Sequence, residues 1–123
     1  MSVSLPSRTA QSLYKICPAA SWADAQTSGC LPVSRDDQRD GFVHLSTASQ
    51  VRGSLRRHFA AQPDLILLEI PESRIPAGEL RWEPARSGEL FPHLYSALVS
   101  KLVARAIALP LGADGNHELP PDF

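Results

Sequence analysis

The chain has 123 residues, 43% of them apolar, and a formal net charge of −1, which allows one domain with a modest core and argues against a surface built to grip nucleic acid. Its two cysteines, Cys17 and Cys30, form no CxxC pair, so a disulfide scaffold or structural zinc site is not expected and both read as free thiols of a reducing compartment. The longest apolar run, around Leu65 to Leu68, is too short for a bilayer and the first residues are polar rather than signal-like, so the expectation is a cytoplasmic protein with no membrane partner.

Residues 1–12 lack a sustained period and read as a flexible N-terminal segment, followed by a single domain over 13–109 and a loose tail over 110–123. Leu13 to Cys17 alternates apolar with amphipathic groups and stops at Pro18, as a first strand does. A short helix around Trp22 to Gln26 is closed by Gly29, and the charged stretch 30–40 reads as a mobile surface loop. Phe42 to Leu45 is a second strand whose period of two puts Phe42, His44 and Ser46 on one face and Val43 and Leu45 on the other. Thr47 with Gln50 forms a capping box for a helix whose apolar side carries Val51, Leu55, His58 and Phe59.

Leu65 to Ile70 is a strand buried on both faces and halted by Pro71. Further strands are expected at Arg81 to Glu83, Phe91 to Tyr95 and Val103 to Leu109. Strands with a few early helices and no regular strand–helix repeat define an α+β domain. Trp22 and Trp82 read as core residues, although either ring can stack on a base. The Arg52, Arg56 and Arg57 group reads as a solvated helix face.

Polar groups set into this strand-like text are the candidate chemistry. His44 and Ser46 are two apart on one strand, so imidazole and hydroxyl point the same way. The helix start at Ser46-Thr47 offers N–H groups to an anion beside His44, or else Ser46 and Thr47 serve only as caps. Arg81 and Glu83 share a strand face and Arg86 follows in a turn. Two guanidinium forks suit phosphate or carboxylate, whereas Arg81 bonded to Glu83 or Glu89 is an ordinary surface ion pair. His93 and Tyr95 again share a face, adding an imidazole and a phenol for general acid–base work or ribose recognition. Catalytic candidates are therefore His44, His93 and Glu83, and ligand-binding candidates are Ser46, Thr47, Arg81, Arg86 and Tyr95. No metal is assigned, because no HxH or HxxxH spacing places two ligands on one element. The alternative for the whole set is one buried hydrogen-bonded network that fixes a small core.

The runs DGFVHLST, from Asp40 to Thr47, and LRWEPARSGELFPHLYS, from Leu80 to Ser96, resemble the hallmarks of the bacterial and plant family catalogued as domain of unknown function 952. Ala85 and Ser87 stand where that family usually has Ser and Gly, and Ser96-Ala97 where it usually has Gly-Pro. The resemblance implies an ADP-ribosyltransferase-like fold, a split and curved pair of small sheets around a cleft that holds NAD in active relatives. His44, Ser46, Thr47, Arg86, His93 and Tyr95 would then border the cleft. No arginine stands on the first strand and no ExE or QxE follows Tyr95, so transfer of ADP-ribose does not follow from the fold. The implied function is binding or acting on NAD, another nucleotide or a ribose phosphate, with NAD as candidate ligand. The alternative is a small-ligand-binding or sensor domain without catalysis.

Overall fold

The computed structural model describes residues 11–123 and shows a single α+β domain of small antiparallel sheets with a few short helices. The expected flexible segment 1–12 lies outside the described residues as far as residue 10. Strand β1 (Ser12–Pro18) is followed by α1 (Ala19–Ser28), α2 (Arg35–Asp40), β2 (Val43–His44) and β3 (Ser46–Thr47). A 3-10 turn (Ala48–Gln50) leads into α3 (Val51–His58), after which come β4 (Leu65–Pro71), β5 (Leu80–Pro84), β6 (Leu90–Leu94) and β7 (Arg105–Leu109). No helix of the described residues is long and apolar enough to cross a membrane.

Four strands form one sheet in the order β3-β1-β4-β7 and three form another in the order β2-β6-β5. The larger sheet is buried on both faces, which explains why β1 and β4 are apolar nearly throughout. Leu13, Cys17, Leu68 and Ile70 face one cluster, shared with Ala25 of α1 and with Val43 and Leu94 of the smaller sheet. Tyr14, Ile16, Leu65 and Leu67 face the other, shared with Val51 and Leu55 of α3. The first cluster is the joint between the sheets and so sets the position of everything the smaller one carries.

The expected strand over Phe42 to Leu45 divides at Leu45. Val43 and His44 pair with Leu94 and His93, whereas Ser46 and Thr47 pair with Tyr14 and Leu13. Between them Leu45 is buried and its N–H donates to the Pro92 carbonyl at 3.1 Å. Alternation is continuous through the crossing, so it carries no mark of the change of partner.

Several expectations are corrected. The stretch 30–40 is not all loop, because Arg35–Asp40 is helical. The Ser34 hydroxyl accepts from the Asp37 N–H at 3.1 Å, Asp36 and Asp37 occupy the first turn, Arg39 the last, and Gly41 ends the helix at φ 84°. That charge order complements the helix dipole, and the left-handed cap favours glycine. His58 is exposed rather than core, since the apolar stripe of α3 runs through Val51 and Leu55 and His58 closes the helix outside it. Trp82 is 38% exposed because β5 is an edge strand. In the segment after β7, Leu119 and Phe123 pack on the second cluster, and the Phe123 ring meets Tyr14 edge-on at 4.9 Å. These two apolar side chains add to the burial of the cluster that α3 also covers.

Candidate functional site

Because β2, β6 and β5 are adjacent and in register, His44, His93 and Arg81 form one row across the smaller sheet. Side chains two apart on a strand share a face, so Phe42, Tyr95 and Glu83 join that row. The imidazoles of His44 and His93 lie 5.5 Å apart, edge to face. Phe42 stacks on His93 at 3.9 Å and tilts against His44 at 4.5 Å, covering both rings.

Each imidazole is oriented through Nδ1 by a carboxylate. His93 Nδ1 lies 2.7 Å from Glu83 Oε1, the same oxygen that accepts from the Tyr95 hydroxyl at 2.7 Å. These two bonds, His93 first, hold the Glu83 carboxyl below its ordinary range, and the bond to Glu83 raises the Tyr95 phenol. The Arg81 guanidinium sits 4.7 Å over the Tyr95 ring, an attraction between cation and ring quadrupole. His93 Nε2 has no partner among the described residues, and no side-chain polar atom among them is sealed in without one. The ring itself is largely buried, with 10% of its side chain exposed.

His44 is held more tightly. Its Nδ1 is 2.6 Å from Asp37 Oδ1, which also accepts the His44 N–H at 3.1 Å, and its Nε2 is 2.9 Å from Asp40 Oδ2. Behind Asp37 lies Lys15 of β1, whose Nζ donates to Asp37 Oδ2 at 2.8 Å and to the His44 carbonyl at 3.3 Å. Lys15 points from β1 into the joint between the sheets, and its ammonium is satisfied there by those two acceptors. Burial alone would push the Asp37 carboxyl up, but the bond from His44 and the Lys15 ammonium together outweigh it and hold the group at about 2. Arg39, through its own ion pair, is the first cause of the lowered Asp40 carboxyl.

The structure thus brings together His44, His93, Glu83, Tyr95 and Arg81, and leaves three other candidates elsewhere. Ser46 is buried in the larger sheet with its hydroxyl 3.1 Å from that of Ser54. The Thr47 N–H donates to Gln50 Oε1 at 3.0 Å, and Gln50 in turn donates to the Leu90 carbonyl at 2.7 Å. The helix start is thereby spent on a cap and a brace for β6. Arg86 is exposed in the turn between β5 and β6, past Pro84 and beyond the row that Arg81 occupies. Of the two candidate arginines, Arg81 is the neighbour of the imidazoles. Sequence reasoning missed Lys15, Asp37 and Asp40; the one available signal was Asp40 inside the run that carries His44. No group of three or more His, Cys, Asp or Glu among the described residues is placed to hold a metal ion.

Beside the row lies an open cleft of about 380 Å³, bordered by Leu31, Val33 and Leu98 and sharing Asp37, Phe42 and Tyr95 with the cluster. Its walls are mainly apolar, and of the cluster's polar groups Asp37 and Tyr95 border it while the two imidazoles and Arg81 stand outside its lining.

A phenol that donates to a carboxylate is stabilised in its neutral form, so Glu83→Gln brings the Tyr95 titration down. Tyr14, raised chiefly by burial, stays where it is. Phenolate absorbance across alkaline pH separates the two tyrosines; an unmoved Tyr95 would contradict the bond.

The fold and site together define a small α+β protein in which a split pair of antiparallel sheets presents two carboxylate-bound imidazoles beside a cleft. The chain belongs to the DUF952 family, proteins of unknown function, which it matches over residues 16–106. It is similar to the crystal structure of protein CC0527 from Caulobacter crescentus, with 37% identity, a TM-score of 0.82, and coverage of 88% of this chain and 94% of that one. The solution NMR structure of CC0527 gives 36% identity, a TM-score of 0.80, and coverage of 91% and 96%. No curated protein matches the chain.

Proposed function

We propose that the row on the smaller sheet, with its cleft, is a site for NAD, another nucleotide or a ribose phosphate, and that His93 moves a proton on that ligand. The observation that carries this reading is the Glu83–His93 pair, in which the carboxylate fixes Nδ1 and Nε2 has no bonding partner among the described residues. An imidazole oriented in this way serves as a general acid or base near neutral pH. Arg81, with no ion-pair partner among the described residues, supplies a cation for phosphate. Tyr95 and Glu83 suit the hydroxyls of a sugar, and the apolar walls suit the less polar part of the ligand. The split pair of small sheets agrees with the ADP-ribosyltransferase-like architecture that the sequence motifs imply, and the unpaired Cys17 and Cys30 agree with a cytoplasmic location.

Isothermal titration with NAD, ADP-ribose and nucleoside phosphates tests the reading. Binding is expected in the native chain and is weakened about tenfold or more in Arg81→Ala, the scale of a lost charge-assisted hydrogen bond. Consumption of the bound ligand is expected in the native chain and absent in His93→Gln. Absence of binding to every one of these ligands would defeat it. The occupation of both ring nitrogens of His44 favours a second reading, a sensor domain that binds the same ligands without turnover; it predicts thermal stabilisation by the ligand with no product.

A further inference from the structure

His44 differs from His93 in one respect that has a functional consequence. Both of its ring nitrogens face carboxylates, and carboxylates only accept hydrogen bonds. Both contacts are satisfied together only when the ring carries a proton on each nitrogen. When the ring is neutral, one nitrogen presents a lone pair to an ionised carboxylate at hydrogen-bond distance, and that contact becomes repulsive.

The surroundings decide which contact fails. Asp37 is buried, with 3% of its side chain exposed, and is fixed by the Lys15 ammonium at 2.8 Å and by the His44 N–H. Asp40 is at the exposed end of α2, and its other partner is Arg39, itself 64% exposed, at 2.9 Å. A buried pair resists separation more than an exposed one, so the neutral ring keeps its proton on Nδ1 toward Asp37 and loses Asp40. The remaining charged or titratable groups around the ring are His93 of β6 at 5.5 Å and, behind it, Glu83 and Arg81 of β5. None of them bonds a ring nitrogen of His44, whose two contacts are Asp37 and Asp40.

We propose that Asp40 is a stopper on His44 Nε2, seated while the imidazole is doubly protonated and released when the ring becomes neutral. Its release turns Asp37–His44 into a second carboxylate-oriented imidazole with an open Nε2, alongside Glu83–His93. Loss of a proton therefore switches the site from one open nitrogen to two. This regulation rests on the row being a ligand site, but the stopper itself is read without any ligand.

Carbethoxylation by diethyl pyrocarbonate, mapped by peptide mass, reads access to a neutral imidazole nitrogen. His58, exposed at the end of α3, serves as internal reference. In the native chain the ratio of His44 to His58 modification is expected to be low at acid pH and to climb several-fold as the pH is raised. In Asp40→Ala, which leaves no group on Nε2, the ratio at acid pH is expected to be several-fold above native. A ratio that Asp40→Ala leaves unchanged would overturn the proposal, as would long-range proton–nitrogen NMR placing the neutral ring's proton on Nε2. Nucleotide titration of the same samples separates the two claims. A moving ratio without binding removes the ligand, and binding with a fixed ratio removes the stopper.

Discussion

Asp37→Ala is expected to destabilise the fold by about 3–5 kcal/mol, the range for removing one partner of a buried ion pair. The loss leaves the Lys15 ammonium in the joint between the sheets with one long bond to the His44 carbonyl, and frees α2 from its only buried residue. Urea unfolding measures the change. The double variant Lys15→Met with Asp37→Leu should recover much of it, because no buried charge then lacks a partner. A loss no greater than 1 kcal/mol, the scale of a surface pair, would show that the contact is not sealed as described.

The same pair sets an acid limit. Asp37 is held at about 2 against an ordinary value of 3.8. Because the folded value lies below the unfolded one, the contribution is complete above about pH 4 and disappears as the pH falls through about 2. Its size is roughly 2–3 kcal/mol. In Asp37→Ala the native-minus-variant difference in stability should therefore narrow on acidification, and a difference that widens would contradict the assignment.

Leu94→Ala is the second large effect, expected at about 2–5 kcal/mol from lost burial and the cavity left behind. Leu94 is fully buried and stands in register between Val43 of β2 and Leu80 of β5, on the face opposite His93. It therefore ties the smaller sheet to the larger one. Total stabilities of small domains are about 5–15 kcal/mol, so a loss of this size is a substantial share. Leu94→Met, which keeps the volume, should cost less than about 1.5 kcal/mol. Equal losses in the two variants would point to the residue's chemistry rather than to the void.

The parts of the fold that were legible in the chain are those written by near neighbours. Alternation from Leu13 to Cys17 ending at Pro18 marks β1, the run Leu65 to Ile70 ending at Pro71 marks the doubly buried β4, and Gly29 closes α1 with a positive φ of 88°. The shared faces of Arg81 with Glu83 and of His93 with Tyr95 follow from period two alone. Helix α2 was illegible because it has no apolar stripe; its only buried residue is a carboxylate whose partners come from β1 and β2. Ser46 was misplaced for a related reason. Alternation puts it on the same side as His44, but the chain changes sheets at Leu45 and its hydroxyl goes to Ser54.

Local order thus determined, from the sequence by itself, most strands, the first helix, the α+β class and the residue types able to hold an anion or move a proton. Tertiary structure alone decided that His44 lies beside His93, that Arg81 and not Arg86 completes their row, and that Lys15, Asp37 and Asp40 gather around His44. Strand pairing and buried ion pairs join residues far apart in the chain, and their register is set by how two sheets share one apolar joint. Spacing along a single segment carries no record of that choice.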